Sequence, residues 1–185
     1  MTREEWLQEG IKELKPIFEE KGYKLPEIKV SIGFTGGSKK AIGTCWRAEA
    51  SSNNIAQIFI HPSIDDSTRV LDILAHELIH AIFPDAGHKG MFRTCATDIG
   101  LTGKMTATIA GPELKAQLET IVSIIGDIPH GKLESNSIGA KKKQTTRMVK
   151  LECLDCGYII RTSRTNIETK GIPTCSCGRD FEVSE

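Results

Sequence analysis

The residues in this chain best suited to chemistry lie in the stretch LAHELIHAIFPDAGHKGMF, residues 74–92. His76 and His80 are four positions apart. On a helix that spacing sets both imidazoles on one face, a turn apart, where they can reach a single ion at about 2.0–2.1 Å. Glu77 need not ligate, because beside such an ion a carboxylate can take a proton from water. A catalytic zinc site needs a third protein ligand and an open fourth position. His88 is the obvious supplier: Pro84 ends the helix, Asp85-Ala86-Gly87 turns the chain, and His88 returns at the start of the next helix. Asp85 and Asp98 are fallback ligands or partners of the ligands. Shuffling this composition would produce His-Glu-x-x-His roughly once in a hundred chains, so the motif draws its weight from its helical setting and the third histidine.

A second set of ligand-type residues closes the chain. Of six cysteines, Cys153, Cys156, Cys175 and Cys177 crowd the last 33 residues, whereas Cys45 and Cys95 stand alone. Four thiolates can close a tetrahedral structural zinc site. The pattern Cys153-x-x-Cys156, eighteen residues, Cys175-x-Cys177 resembles a zinc ribbon, with its second pair one residue shorter than the usual Cys-x-x-Cys. Cys45 and Cys95 read as small buried hydrophobes.

These residues need elements to hold them. Val70, Leu71, Leu74, Leu78, Ala81 and Ile82 fall on one broad helical face, with His76 and His80 nearly opposite, flanked by Ile73 and Phe83. A helix apolar almost all round is a buried one, so its histidines should face a cleft. Asp65, Asp66 or Ser67 could cap it, and it should run to about Phe83. Upstream, Thr2-Arg3-Glu4-Glu5 fits a capping box opening a helix that stops near Gly22, with a kink or early break possible at Pro16. EIKVSIGF (27–34), KAIGTCWRAEA (40–50) and IAQIFIHP (55–62) read as strands, with a turn at TGGSKK (35–40). Downstream, a short helix closes at Gly100, and another opens at Gly111-Pro112 and runs to about Ile125. The element order is an α+β pattern.

The chain resembles the SprT-like (Spartan-related) zinc metallopeptidases. The resemblance rests on HELIHA followed by Gly87-His88-Lys89-Gly90-Met91-Phe92, on the preceding strand, and on the ribbon-like tail. It implies a zincin-like metallopeptidase domain with a small antiparallel sheet and an active-site helix, followed by a small C-terminal zinc ribbon. It also implies His76, His80 and His88 as ligands of a catalytic zinc and Glu77 as general base. Cys153, Cys156, Cys175 and Cys177 would hold a structural zinc, and residues 55–60 would form an edge strand to which an extended peptide adds itself. The third histidine follows the second by eight residues, against six in metzincins. Zincins often polarise the scissile carbonyl with a Tyr, His or Arg; His130, Tyr23 and Tyr158 are candidates, while His61 reads as structural.

Organisation follows: residues 1–128 as the metallopeptidase domain, 129–148 as a basic linker, 149–185 as the ribbon. Residues 140–185 carry 9 Lys+Arg against 6 Asp+Glu, while the chain as a whole is neutral. Lys141, Lys142, Lys143, Arg147, Lys150, Arg161 and Arg164 surround the ribbon and could contact DNA phosphates. No apolar run approaches 18 residues and the first ten residues lack signal-peptide character, so a cytoplasmic protein with no membrane partner is expected. The expected activity is zinc-dependent endoproteolysis of a protein or peptide, DNA-associated proteins among them. The competing expectation is a nucleic-acid-binding or transcription-related adaptor whose zincin domain is a non-catalytic scaffold.

Overall fold

The computed structural model describes residues 1–35, 41–134 and 148–184. Most of the turn expected at 35–40 lies outside them, as do Lys141, Lys142, Lys143 and Arg147 of the basic linker. The chain divides into two compact units, Met1–Ser135 and Asn136–Glu185. Among the described residues are five α-helices and three small sheets, a mixed α+β architecture, and no helix is long and apolar enough to cross a membrane.

The first unit begins with α1 (Arg3–Glu20), whose capping box is complete: Glu5 N donates to Thr2 Oγ1 and Thr2 N to Glu5 Oε2. Pro16 does not end the helix. Leu14 and Phe18, fully buried on either side of it, hold the last turns against the core and outweigh the missing backbone donor. Then come β1 (Ile28–Ile32), β2 (Gly43–Trp46), a 3₁₀ turn (Ala48–Ala50) and β3 (Ala56–Ile60).

Two expectations change at this sheet. Its order is β1-β3-β2, so β3 is the central strand, and the edge beside the His-Glu motif is β2. The sheet is also mixed: β1 pairs β3 in parallel and β2 pairs it antiparallel. A parallel pairing needs a long crossover, and residues 33–55 supply one that carries β2 on its return. Ala56, Ile58 and Ile60 alternate inward from β3 onto the core.

Helix α2 (Ser67–Ile82) packs across that core, capped by Asp66, whose carboxylate accepts from Arg69 N. Leu71, Leu74 and Leu78 are fully buried, while His76 and His80 are half-buried. α3 (Met91–Asp98) follows, then a hairpin of β4 (Leu101–Lys104) and β5 (Ala107–Ala110), then α4 (Pro112–Ile125). The chain past α4 stays with this unit: Ile128 N donates to Ser67 Oγ, and Leu133 N to Pro62 O.

The second unit is a three-stranded antiparallel sheet of β6 (Met148–Glu152), β7 (Ile159–Ser163) and β8 (Glu182–Ser184), ordered β7-β6-β8. A short helix α5 (Arg164–Lys170) extends β7, capped by Ser163. Among the described residues its buried core is Leu151, Cys153, Cys175 and Phe181.

Candidate metal centres and the cleft

Two groups among the described residues could hold a metal ion: His76, His80 and His88, and the four C-terminal cysteines. In each, the ligand atoms lie within 4.8 Å of one another.

The first group is assembled by three devices. Helical spacing stacks His76 over His80. The turn after α2 brings His88 back, with Gly87 and Gly90 at φ +55° and +51° on either side of it, a backbone state that costs glycine little. Phe92, fully buried, then packs against all three imidazoles with ring centroids 4.5–5.0 Å away. His88 thus sits in the turn before α3 and not within that helix. His80 Nε2 and His88 Nε2 are 3.2 Å apart. Two nitrogens bound tetrahedrally at 2.0–2.1 Å would be about 3.4 Å apart, so the donor set fits a small divalent ion.

Thr108 on β5 orients the third ligand: His76 Nδ1 lies 2.8 Å from its hydroxyl oxygen. With Nδ1–H donating there, Nε2 is left as the ligand atom. Thr108 is itself buried, and its carbonyl accepts from Arg69, which is paired with buried Asp72. Thr108→Val is expected to weaken zinc affinity by about 10–100-fold, with Thr108→Ser close to wild type, both read by competitive chelator titration.

Burial holds His76 down to about pKa 3 and His80 to about 4, with the neighbouring histidines adding to the effect, and burial lowers His88 as well. All three are therefore neutral near pH 7, the form in which an imidazole can take a metal ion. Burial also raises Glu77 to about 8 in the metal-free protein, where no cation offsets the charge. Glu77 is pressed from above by β2. A Cβ at Gly43 would stand 2.6 Å from Glu77 Oε1 and 2.6 Å from Ile73 Cγ2. Gly43→Ala is accordingly expected to displace the carboxylate, lowering turnover at least tenfold while zinc content stays unchanged.

A cleft of about 420 Å³ runs over these residues, within the usual range for ligand sites. One wall is residues 41–45 with Arg47, the floor is the α2 row Arg69, Ile73, His76, Glu77 and His80, and Thr106–Thr108 close the far side. Arg47 reaches Asp85 at 2.7 Å, an exposed ion pair. Cys45 also lines the cleft, and burial, with Glu77 nearby, pushes its thiol up to about 12.

The other sequence candidates lie elsewhere. His130 Nε2 bonds Pro62 O, Tyr23 donates to Asp98 at 2.5 Å, and Tyr158 is in the second unit beside Phe181. His61 bonds Ser63, and Cys95 is fully buried. Asp85 and Asp98 are engaged with Arg47 and Tyr23, outside the histidine group. Thr108 and Arg69 were not singled out by the sequence. The β-branched alternation in LTGKMTATIA marks the hairpin, but only packing brings Thr108 to His76.

In the second group Cys153 Sγ and Cys177 Sγ are 3.4 Å apart, and Cys156 Sγ and Cys175 Sγ are 3.5 Å apart. All four cysteines are free thiols. Zinc with four sulfurs at about 2.3 Å would set them about 3.8 Å apart, so a slight expansion admits the ion. The backbone N–H of Cys177 holds the Cys175 thiol down. At Cys156 and Cys177 a backbone N–H is outweighed by side-chain contacts with neighbouring cysteines, which hold both thiols up, so of these three only Cys175 is tilted towards the thiolate a metal needs.

A scan against protein-family models, a search of curated proteins and a search of solved structures each found no match to this chain. The functional reading therefore rests on the site itself.

Proposed function

We propose that the chain is a zinc-dependent endopeptidase of SprT-like type, with a zincin-like catalytic unit followed by a zinc ribbon. The observation that carries it is the meeting in one cleft of three neutral histidines, a buried carboxylate and a strand edge that is unpaired among the described residues. A structural metal site has no use for the last two.

A zinc ion held by His76, His80 and His88 would supply Lewis acidity, polarising a peptide carbonyl and acidifying water. The chain's own residues do the rest. Among the described residues the outer edge of β2 pairs with no strand, so an extended peptide can lie along it with its backbone hydrogen-bonded. Glu77 takes a proton from the attacking water as its oxygen bonds to the carbonyl carbon, then returns it to the amine as the C–N bond breaks. Thr108 keeps His76 in its ligating tautomer, and Gly43 leaves room for Glu77.

The ribbon would carry the protease to DNA-associated proteins. Lys150 and Arg161 stand directly opposite each other on β6 and β7, and Arg164 opens α5. Glu152 offsets Lys150, and four thiolates offset more, so this DNA contact would be weak and salt-sensitive. Ligating thiols need a reducing compartment, which suits the cytoplasm.

The test is incubation of the zinc-loaded full chain with an unstructured protein, with and without DNA. Cleavage that a chelator stops and zinc restores is expected; no cleavage under any of these conditions contradicts the reading.

A further inference from the structure

Among the described residues two cationic side chains line the cleft, Arg47 and Arg69, and Arg47 is engaged by Asp85. Arg69 stands two turns before His76 on the same face of α2 and lines the cleft floor. One of its terminal nitrogens, Nη1, is committed to Asp72 and approaches Thr108 O at 3.4 Å. Asp72 is only 5% exposed, so that grip is internal and fixed. Among the described residues the other guanidinium nitrogens have no protein partner. A guanidinium anchored at one nitrogen and open on its remaining donors presents a planar fork suited to a carboxylate. Among the described residues Glu77 is the one acidic side chain lining the cleft, and it lies two turns of helix from that fork.

We infer that Arg69 is a specificity-determining residue that binds a substrate carboxylate on the C-terminal side of the scissile bond, an inference that rests on the peptidase reading.

The side follows from strand direction. Gly43, at the start of β2, lies against Ile73 and Glu77 in the middle of α2; Arg47, just past its end, reaches Asp85, beyond the end of α2. So β2 and α2 run in the same sense. A peptide adding antiparallel to β2, the more stable pairing, runs the opposite way, and its C-terminal portion passes towards Arg69. His76 lies seven positions after Arg69, about 10 Å along the helix axis. That span corresponds to about three residues of extended peptide. The carboxylate could be an Asp or Glu side chain at that place or the free C-terminus of a peptide ending there.

The experiment uses a peptide series with one Glu placed in turn at the second, third and fourth positions after the cleaved bond, a Gln series to match, and short peptides with free or amidated C-termini. Cleavage by the zinc-loaded wild type is read as kcat/KM with product masses, and binding to zinc-loaded Glu77→Gln by fluorescence anisotropy. A preference of about tenfold for the carboxylate-bearing peptide is expected in both readings, confined to about the third position and carried mainly by KM. The preference should vanish in Arg69→Met and partly survive in Arg69→Lys. Arg69→Met/Asp72→Asn, which leaves no buried unpaired charge, serves if the single variant misfolds. A preference for Glu-bearing peptides alone assigns a side chain, and one for free C-termini alone assigns the terminus. Equal cleavage and binding of Glu and Gln peptides, or a preference that persists in Arg69→Met, overturns the inference and leaves the peptidase reading standing. Absence of any cleavage by the wild type sinks that reading instead.

Discussion

Glu77→Gln is expected to slow peptide hydrolysis by about 10²–10⁴-fold while zinc remains bound at His76, His80 and His88. Glutamine keeps the shape of the side chain under Gly43 and Ile73 but cannot accept the proton of the attacking water. The variant separates a base from a ligand: if Glu77 were a ligand, zinc affinity would fall along with turnover. The same substitution has an opposite effect on the metal-free protein. Burial holds the Glu77 pKa at about 8, above its ordinary value of 4.5. A carboxyl raised in this way contributes stability that is fully present below about pH 4.5 and is lost as pH rises through about 8. Metal-free Glu77→Gln should therefore melt at a higher temperature than metal-free wild type at pH 9, and close to it at pH 5. Thermal denaturation at the two pH values checks the sign. A carboxyl that ionises freely would give the same difference at both.

Removing zinc from the four cysteines is expected to unfold the C-terminal unit and leave the first unit folded. The reason is the size of the core. Leu151, Cys153, Cys175 and Phe181 are its buried apolar side chains among the described residues, and two of these belong to the cysteine group that could hold the ion. A segment this small lacks the burial to offset its chain entropy, and structural zinc sites contribute on the order of 10–16 kcal/mol in such cases. Cys153→Ser, or a strong chelator, should abolish amide-exchange protection across β6 and β7. Protection in α1 and β3, backed by Trp6, Phe18, Ile58 and Ile60, should be unchanged. Retained protection in metal-free β6 would mean that the strands stand without the ion.

Much of the first unit was legible because its signals are local. The capping box at Thr2, the three-to-four spacing of Leu71, Leu74 and Leu78, and Pro84 after α2 each act within a turn or two of chain. His76 and His80 come together for the same reason. His88 was legible as a third member of that group because a glycine-rich turn of that length has few places to put it. What escaped depends on partners distant in sequence. The alternation of residues 55–60 says that a strand has one buried face, and nothing about which neighbours flank it; the crossover that places β3 in the centre and β2 at the edge is a property of the whole sheet. Thr108 carries no local mark of its role, since its hydroxyl matters only where β5 meets α2. Arg69 was visible as one more charged residue near a helix start, and the buried carboxylate that turns it towards the cleft is three positions away and reads as a surface residue in isolation. His130 and Tyr23 suggested carbonyl-polarising groups by type, yet each is held by a partner outside the cleft.

The central claim is two metal sites of different kinds in one chain. Metal content of the purified chain, measured beside His80→Ala and Cys156→Ala, tests it most directly. Two zinc ions per wild-type chain, with one lost in each variant, is the expected result. A single zinc retained in His80→Ala would show that the histidines hold no metal, and the peptidase reading would fall with them.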